Sequence, residues 1–268
     1  MTRSTRLKGE TTFRLATAAA LAGLVLFLAA IFLSLAFYTN WGTFLTVIAS
    51  DEVLFAIRLS LVTASLSTLI AMLVAVPSAY AISRFRFPGK DIVDTLLDLP
   101  IFVSPIAIGA ALLVFFNTPP GTMVEERLMR FVFEIPGIVL AQFTIVSGLA
   151  VRLLKSTFDG IDPRYEQVAR TLGYSRSATF FKVTLPLARQ GLIAACILTW
   201  AKAAGEFGAT VMLAGATKMK TETLPIAIFL NFSTADIEKA VAVIFVLVAI
   251  SVGVLFVLRK LTGRAYQI

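Results

Sequence analysis

Long stretches without a charged residue are the feature of this sequence that most restricts its fold. Residues 15–50, 59–83 and 99–124 contain no Asp, Glu, Lys or Arg. A helix needs about 20 predominantly apolar residues to cross the hydrocarbon core of a bilayer, and each of these stretches is longer than that. Charged residues make up 15% of the chain, whereas soluble domains carry about 25%. The sequence therefore predicts a membrane protein that crosses the bilayer several times.

The composition also excludes several classes of catalytic site. The chain contains no histidine, which is the commonest general base and metal ligand in proteins. Its single cysteine, Cys196, lies in an apolar stretch and is expected to pack as a small apolar side chain. The sequence has no Gly-x-x-x-x-Gly-Lys-Ser/Thr segment, which would bind nucleotide phosphates. We therefore predict that the chain is not an enzyme and binds no metal, and that any ATP-driven work depends on a separate ATPase.

Apolar stretches bounded by charged residues predict six membrane-spanning helices in a single domain, residues 1–268. The first stretch follows a basic segment, as in a signal peptide, but its apolar core exceeds the usual length of about 7–15 residues and no small-x-small cleavage site follows it. We therefore interpret it as a retained helix. The predicted fold class is an all-α polytopic membrane bundle, and the predicted spans are residues 15–38, 57–82, 97–116, 136–154, 191–214 and 239–258.

The distribution of basic residues predicts which side of the membrane each loop faces. Six spans place both termini on one side, and cytoplasmic loops are enriched in Lys and Arg. With a cytoplasmic N-terminus, 17 of the 24 Lys and Arg residues are cytoplasmic: four precede the first span, three follow the second, seven lie at the end of the fourth or after it, and three follow the sixth. We therefore predict that both termini are cytoplasmic. This topology and contact with membrane lipid explain the net charge of +8, so no nucleic-acid partner is expected.

The segment between the fourth and fifth predicted spans, residues 155–190, is too polar to cross the membrane and is predicted to form two short helices. The pair Asp162-Pro163 combines a favourable N-cap with a proline at the first helical position, where its missing N–H costs nothing. Gly173 supplies a left-handed residue that ends the helix. These signals predict a helix near residues 163–172, and Ser175 can cap the helix that follows.

The same segment resembles a signature of the permease subunits of binding-protein-dependent ABC importers. That signature is Glu-Ala-Ala, three residues, Gly, nine residues and then Ile-x-Leu-Pro. Gly173 and Val183-Thr184-Leu185-Pro186 match its second half in register. Gln167-Val168-Ala169 stands in place of Glu-Ala-Ala, with Glu166 one residue earlier. Residues 166–173 are similar to the oxyanion branch of the family, the molybdate, tungstate and sulfate permeases.

Residues 87–100 and 205–209 are similar to the same branch, and the resemblance extends over residues 55–258. It implies a type I importer fold in a prokaryotic inner membrane. The implied partners are a second copy of the chain, two ABC ATPase subunits that bind ATP and magnesium, and an extracytoplasmic oxyanion-binding protein; the chain itself needs no cofactor. The implied substrate is molybdate or tungstate, with sulfate or thiosulfate as the alternative. A secondary transporter, the alternative from another class, would need intramembrane carboxylates and usually a repeated half, but only Glu206 lies clearly within a span.

The resemblance also implies a role for the first short helix, which would enter a cleft of the ATPase and transmit its closure to the membrane spans. A short helix bounded by Asp162-Pro163 and Gly173 can pass on such a movement as a rigid body. The alternative is an ordered inner loop without a partner. The residues expected to couple to the ATPase are Arg164, Tyr165, Glu166, Ala169, Arg170, Leu172 and Gly173.

Interruptions in the third and fifth spans indicate where a translocation pathway lies. Lys202 and Glu206 are four residues apart, so a continuous helix places them on one face, either as a structural ion pair or in contact with a passing anion. Prolines 100 and 105 break the third span, which indicates either a packing kink or a conduction pathway. The family resemblance implies a path between the third and fifth spans of two subunits. The pathway and gate candidates are Ser104, Pro105, Lys202, Glu206 and Thr210.

Overall fold

The computed structural model describes residues 3–37, 39 and 41–262 of the chain. Regular structure within these residues consists of helices, which confirms the all-α prediction. Residue 38, the end of the first predicted span, and the basic residue Arg264 lie outside the described residues. In chain order the α-helices are α1 (Arg3–Phe37), α2 (Trp41–Ile48), α3 (Asp51–Arg84), α4 (Lys90–Phe102), α5 (Pro105–Phe116), α6 (Pro119–Arg127), α7 (Ile135–Asp159), α8 (Arg164–Thr171), α9 (Arg176–Thr179), α10 (Leu185–Leu187), α11 (Arg189–Ala204), α12 (Gly208–Ala214), α13 (Leu224–Ser233) and α14 (Ile237–Thr262), and a π-helical turn, Phe180–Thr184, joins α9 to α10.

Four helices are long and apolar enough to cross a membrane, and they correspond to the first, second, fourth and sixth predicted spans. These spans are Thr12–Phe37 within α1, all of α3, all of α7, and Ile237–Val257 within α14. Among these four spans, the largest difference from a predicted start is in α3, which begins at Asp51 rather than at residue 57. Asp51 and Glu52 lie in its first turn, where carboxylates stabilise the N-terminal end of a helix dipole. These two charged residues therefore belong to the first turn of the helix and not to the loop that precedes it.

The third predicted span is divided into two helices. α4 and α5 meet at an angle of 110°, and the break falls at Val103 and Ser104. Pro105 has no N–H to continue the helical hydrogen bonding, and it disfavours helical backbone at the residue before it. Ser104 is accordingly non-helical, with φ −55° and ψ 134°. The prolines indicated an interruption, but nothing in the local sequence indicated the size of the bend.

The helix α3 is central to the bundle, because one of its stripes consists of small residues that are at most 1% exposed. Small side chains let helix backbones approach each other closely, and this stripe packs against α7, α11, α13 and α14. The hydroxyl of Ser67 also donates to Oε1 of the buried Gln142 of α7 at 2.9 Å, so these polar groups satisfy each other inside the bundle. The stripe comprises Ala56, Ser60, Ala64, Ser67, Ala71, Ala75 and Ala79.

Ion pairs at the helix ends show how the spans run relative to one another. Glu52, in the first turn of α3, binds Lys239 of α14 and lies 3.7 Å from Lys218. At the opposite end of α3, Arg84 binds Glu166 of α8 at 2.8 Å. We call the end that carries α8, predicted to face the cytoplasm, the inner end, and the end that carries Glu52 the outer end. α3 and α14 therefore both begin at the outer end, as six alternating crossings require.

Three short helices toward the outer end, α2, α6 and α13, are not indicated by the sequence pattern. α13 is the most deeply placed of them, since Leu224 and Ile226 are at most 1% exposed. The backbone N–H of Leu224 donates to the hydroxyl of Ser60 on α3 at 2.7 Å, and Ala227 packs in one cluster with Val243 of α14. Part of the predicted outer loop is therefore folded into the bundle, although its apolar run is too short to cross a bilayer.

Candidate coupling helix and translocation face

Local hydrogen bonds fix both ends of α8. Oδ1 of Asp162 accepts from the backbone N–H of Arg164 at 2.9 Å. Gly173 has a φ of +92°, and the N–H of Tyr174 donates back to the carbonyl of Ala169 at 3.2 Å. These are the start and stop residues that the sequence indicated, and the predicted position of the helix is confirmed. The left-handed conformation at Gly173, rather than lack of space, requires glycine, because nothing lies within 4 Å of an added Cβ there.

One face of α8 is apolar and exposed. Tyr165 is 58% exposed, Val168 58% and Leu172 73%, and their spacing of three and four residues places them together on a helix. Arg164 and Arg170 are also exposed, as is Gly173 just beyond the helix. An apolar patch rimmed by charge on a polar loop is typical of a protein interaction site.

Glu166 and Ala169 are largely covered by neighbouring residues, unlike the other five residues selected for coupling. Ala169 is 6% exposed, and the side chain of Glu166 is 13% exposed. Ala169 follows Tyr165 by four residues and precedes Leu172 by three, so it borders the apolar face, whereas Glu166 is directed toward the bundle. They attach α8 to the bundle, whereas the exposed face remains available.

Two residues at the inner end of α3, Tyr80 and Arg84, were missed as parts of this site. The hydroxyl of Tyr80 donates to Oε2 of Glu166 at 3.0 Å, and Nε of Arg84 donates to Oε1 at 2.8 Å. Nη2 of Arg84 also donates to the carbonyl of Ile161 at 2.8 Å. Sequence analysis used Arg84 only as one of the basic residues that predict the topology. Its partner Glu166 lies 82 positions later, and no local sequence pattern indicates such a distant pair.

The third predicted span is broken between α4 and α5, and the fifth is broken between α11 and α12. These two breaks lie side by side within the bundle. A Cβ added to Gly208, at the start of α12, would be 3.0 Å from Cβ of Pro105, at the start of α5. A Cβ added to Gly109 would be 2.7 Å from Cα of Ala209. The separation at Gly109 leaves no room for a side chain, and the one at Gly208 is tighter than an ordinary contact, so the small residues allow the close helix approach that was expected there. The bend of α4 and α5 therefore adjoins the break between α11 and α12.

Lys202 and Glu206 form the expected pair across the second break, although they do not lie on one continuous helix. α11 ends at Ala204 and α12 begins at Gly208. The side chain of Glu206 is 2% exposed, its Oε2 lies 3.6 Å from Nζ of Lys202, and its Oε1 accepts from the N–H of Ala209 at 3.0 Å. Lys202 is 49% exposed. Glu206 thus stabilises the break between α11 and α12 from within the bundle, whereas the positive charge of Lys202 is exposed.

The remaining pathway candidates are placed differently. Ser104 is exposed and Pro105 is half-buried, beside the strongly exposed apolar residues Phe102 (82%) and Ile106 (51%). Thr210 is 0% exposed, so it does not reach the exposed face of the bend. It follows Glu206 by one helical turn on a face that packs inward. The exposed face of the bend is predominantly apolar.

Arg152 of α7 holds the inner arm of the bent span. Its Nε and Nη2 bind both carboxylate oxygens of Asp98 on α4, Nη2 also donates to the carbonyl of Asp94 at 2.9 Å, and Nη1 lies 3.6 Å from the Asp94 carboxylate. A Cβ added to Gly148 would be 2.3 Å from the carbonyl oxygen of Leu97. α4 is therefore clamped against α7 by a forked ion pair and by a close backbone approach.

The described residues bring together two features that bear on function. Among residues 3–37, 39 and 41–262, no group of three or more cysteine or carboxylate side chains is placed to bind a metal ion. What these residues do form is a capped, exposed helix at the inner end and a pair of adjoining helix breaks within the bundle. Interrupted spans with freed backbone groups are typical of transport proteins.

Comparison with known proteins agrees with this arrangement. A probable molybdenum ABC transporter permease protein of Haloferax volcanii is 38% identical over 254 residues, which cover 91% of this chain and 92% of the relative. A molybdate/tungstate transport system permease protein of Thermococcus kodakarensis is 33% identical, with 78% of each chain covered. The fold matches that in the crystal structure of a bacterial alginate ABC transporter, in complex with an alginate pentasaccharide-bound periplasmic protein, with a TM-score of 0.77, 17% identity and 98% of both chains covered.

The model of one protein family matches residues 67–265, most of the chain. That family is described as the binding-protein-dependent transport system inner membrane component. The chain is therefore a multi-pass membrane protein that belongs to the family of binding-protein-dependent transport system inner membrane components.

Proposed function

We propose that this chain is the permease subunit of an ABC importer for a tetrahedral oxyanion, and that two copies form the pathway. The observation that carries the proposal is α8, a helix capped at both ends that presents an apolar face at the inner end of the bundle. Such a face suits a cleft on a separate ATPase subunit, which would supply the ATP and magnesium. The chain itself is then a transport subunit and not an enzyme.

In this proposal Tyr165, Val168 and Leu172 enter the ATPase cleft, and Arg164 and Arg170 lie at its rim. Exposed large apolar side chains on a short polar segment lose contact with water when a partner covers them, which favours binding. Gly173 sets the direction in which the helix points. An ordered loop without a partner would leave all three apolar side chains in water.

The pathway in this proposal runs between two copies, along the bend of α4 and α5 and the adjoining break. Ser104, Pro105 and Lys202 lie on or beside this face, whereas Phe102 and Ile106 are apolar and exposed. Apolar side chains that meet across two copies close a pathway to ions because a desolvated anion is costly there. Lys202 supplies a positive charge where the anion passes.

Molybdate or tungstate is the proposed substrate, since relatives of 38% and 33% identity are named as molybdenum and molybdate/tungstate permeases. Sulfate and thiosulfate remain the alternatives, because these anions share the tetrahedral shape and charge. An external binding protein would make the first selection among them. Its docking surface would be formed by the outer segments, including α6 and the loop before α13.

The proposal can be tested with the tagged chain and the proteins that purify with it. The complex is reconstituted in liposomes with its binding protein, and uptake of labelled molybdate, tungstate and sulfate is measured with and without ATP. We expect ATP-dependent uptake of molybdate or tungstate, and an ATPase of the ABC class in the purified complex. Uptake that needs an ion gradient and no ATP would instead support a secondary transporter.

A further inference from the structure

Glu166 has a different position from the rest of the proposed docking helix. It lies on the inward face of α8 and accepts hydrogen bonds from Tyr80 and Arg84, both at the inner end of α3. The Arg84 and Glu166 side chains are only 10% and 13% exposed. Charged hydrogen bonds that are largely shielded from water are stronger than exposed ion pairs.

Among the described residues, every side-chain hydrogen bond between α8 and a membrane span is made by Glu166. The other side-chain bonds of α8 are local, such as those of Asp162 and Thr171. Arg84 additionally binds the carbonyl of Ile161, in the turn that leads into α8. Arg84 thus attaches both α8 and the preceding turn to α3, and Tyr80 adds a second bond to α8.

The attachment leads to the centre of the bundle. α3 presents its stripe of small residues to α7, α11, α13 and α14. A displacement of α3 therefore reaches every neighbour packed on that stripe, because closely packed interiors transmit strain rather than absorb it. Apart from this attachment, α8 packs against α9 and the π-helical turn Phe180–Thr184, so Glu166 is its side-chain link to a membrane span.

We propose that Glu166 is a positioning residue, which makes α8 move together with α3 and thereby links ATPase closure to the spans. This inference rests on the proposed function, because it assumes that the exposed face of α8 binds the ATPase. It assigns the two faces of one short helix to different tasks. The face with Tyr165 and Leu172 binds the partner, and the face with Glu166 transmits the movement.

The first experiment compares variants of the two faces in the complete transporter. Glu166→Gln removes the charge and Tyr80→Phe removes a single donor, whereas Leu172→Ala changes the docking face. Membrane abundance, copurified ATPase and oxyanion uptake per ATP hydrolysed are measured for each. We expect Glu166→Gln to retain the ATPase and to lose about tenfold in uptake per ATP, with a smaller loss of the same kind for Tyr80→Phe. Leu172→Ala should lose the ATPase itself.

The second experiment tests the attachment without any ATPase. Spin labels are placed at exposed positions 171 on α8 and 86 just after α3, in a Cys196→Ser background, and their distance distribution is measured in the purified chain. Glu166→Gln should broaden this distribution, and the exposed carboxylate variant Glu238→Gln should leave it unchanged. An unchanged distribution in Glu166→Gln would overturn the positioning role, whatever the ATPase does.

The two experiments separate failure of the inference from failure of the proposed function. If Leu172→Ala and Tyr165→Ala both retain the ATPase, docking on the exposed face is wrong, although the label distances still test the attachment. If Glu166→Gln releases the ATPase as Leu172→Ala does, Glu166 belongs to the docking surface and the positioning role is wrong. The same conclusion follows if Glu166→Gln and Tyr80→Phe both keep normal uptake per ATP. Reversal of the defect by the charge exchange Glu166→Arg with Arg84→Glu would support the inference further.

Discussion

The direction of α8 depends on the single left-handed residue Gly173, whose φ is +92°. A β-branched side chain in that region of backbone space costs about 1–3 kcal/mol, so Gly173→Val should change the turn between α8 and α9. The spans lie away from this turn and should still insert. We expect near-normal abundance in the membrane, weak copurification of the ATPase and loss of uptake.

A matched substitution distinguishes backbone strain from the added volume. Gly23→Val adds the same side chain in α1, where nothing lies within 4 Å of an added Cβ and the backbone has no positive φ. That variant should bind its ATPase normally. Full ATPase binding and uptake by Gly173→Val would contradict the proposed role of the turn.

Glu206 should matter more to assembly than the lysine with which it pairs. Glu206→Leu leaves the N–H of Ala209 without its acceptor in a buried place, at a cost of about 1–3 kcal/mol. Lys202→Met removes one weak contact at 3.6 Å from a half-exposed side chain. The temperature at which each purified variant aggregates measures this order of stability. Glu206→Gln retains an acceptor and should be intermediate, and a larger loss in Lys202→Met than in Glu206→Leu would contradict the assignment.

The helix α4 depends on Arg152 for its place against α7. Arg152→Leu leaves the carboxylates of Asp94 and Asp98 unpaired, so we expect a loss of about 1–3 kcal/mol in stability and a movable inner arm. A crosslink between cysteines on α4 and α7 should then form over a wider range of reagent lengths. Asp91→Asn, which changes an exposed carboxylate on the same helix, is the control. An unaltered crosslinking pattern in Arg152→Leu would show that backbone packing alone holds α4.

The predictions that succeeded concern elements whose signals are local. Asp162, Gly173 and Ser175 act on neighbouring backbone groups, and the structure confirms the caps and the stop that they indicated. Long apolar stretches likewise identified the four uninterrupted spans. Sequence reasoning failed where partners are distant in the chain, as with Glu166 and Arg84. No local pattern encodes which face of a short helix will meet another helix, so the bond between Glu166 and Arg84 was not predicted.

Labelling from either side of the membrane tests the orientation of the whole molecule. In a Cys196→Ser background, a cysteine at the exposed position 176 should react with an impermeant reagent only in inside-out vesicles. A cysteine at the exposed position 126, in α6, should react in intact cells. The expectation follows from the 17 of 24 basic residues assigned to the cytoplasmic side. Reaction of position 176 in intact cells would invert the topology.

The purified chain should show no ATP hydrolysis unless its partner ATPase is present. The sequence has no Gly-x-x-x-x-Gly-Lys-Ser/Thr segment to bind nucleotide phosphates. Phosphate release by the purified chain should therefore equal that of a buffer blank and should rise on addition of the copurified ATPase. Hydrolysis that persists after complete removal of other chains would contradict the division of labour proposed here.

The inward turn of Glu166 also decides the electrical sign of the surface that α8 shows to the cytoplasm. Glu166 is the single acidic residue in α8, and with its charge neutralised by Arg84 the exposed charges of α8 are those of Arg164 and Arg170. A cell that makes many related ATPases could therefore sort them by charge as well as by shape. An ATPase with an acidic rim around its cleft would be accepted, and one with a basic rim would be repelled. Subunit exchange between importers should accordingly become easier as ionic strength rises, because salt screens such repulsion.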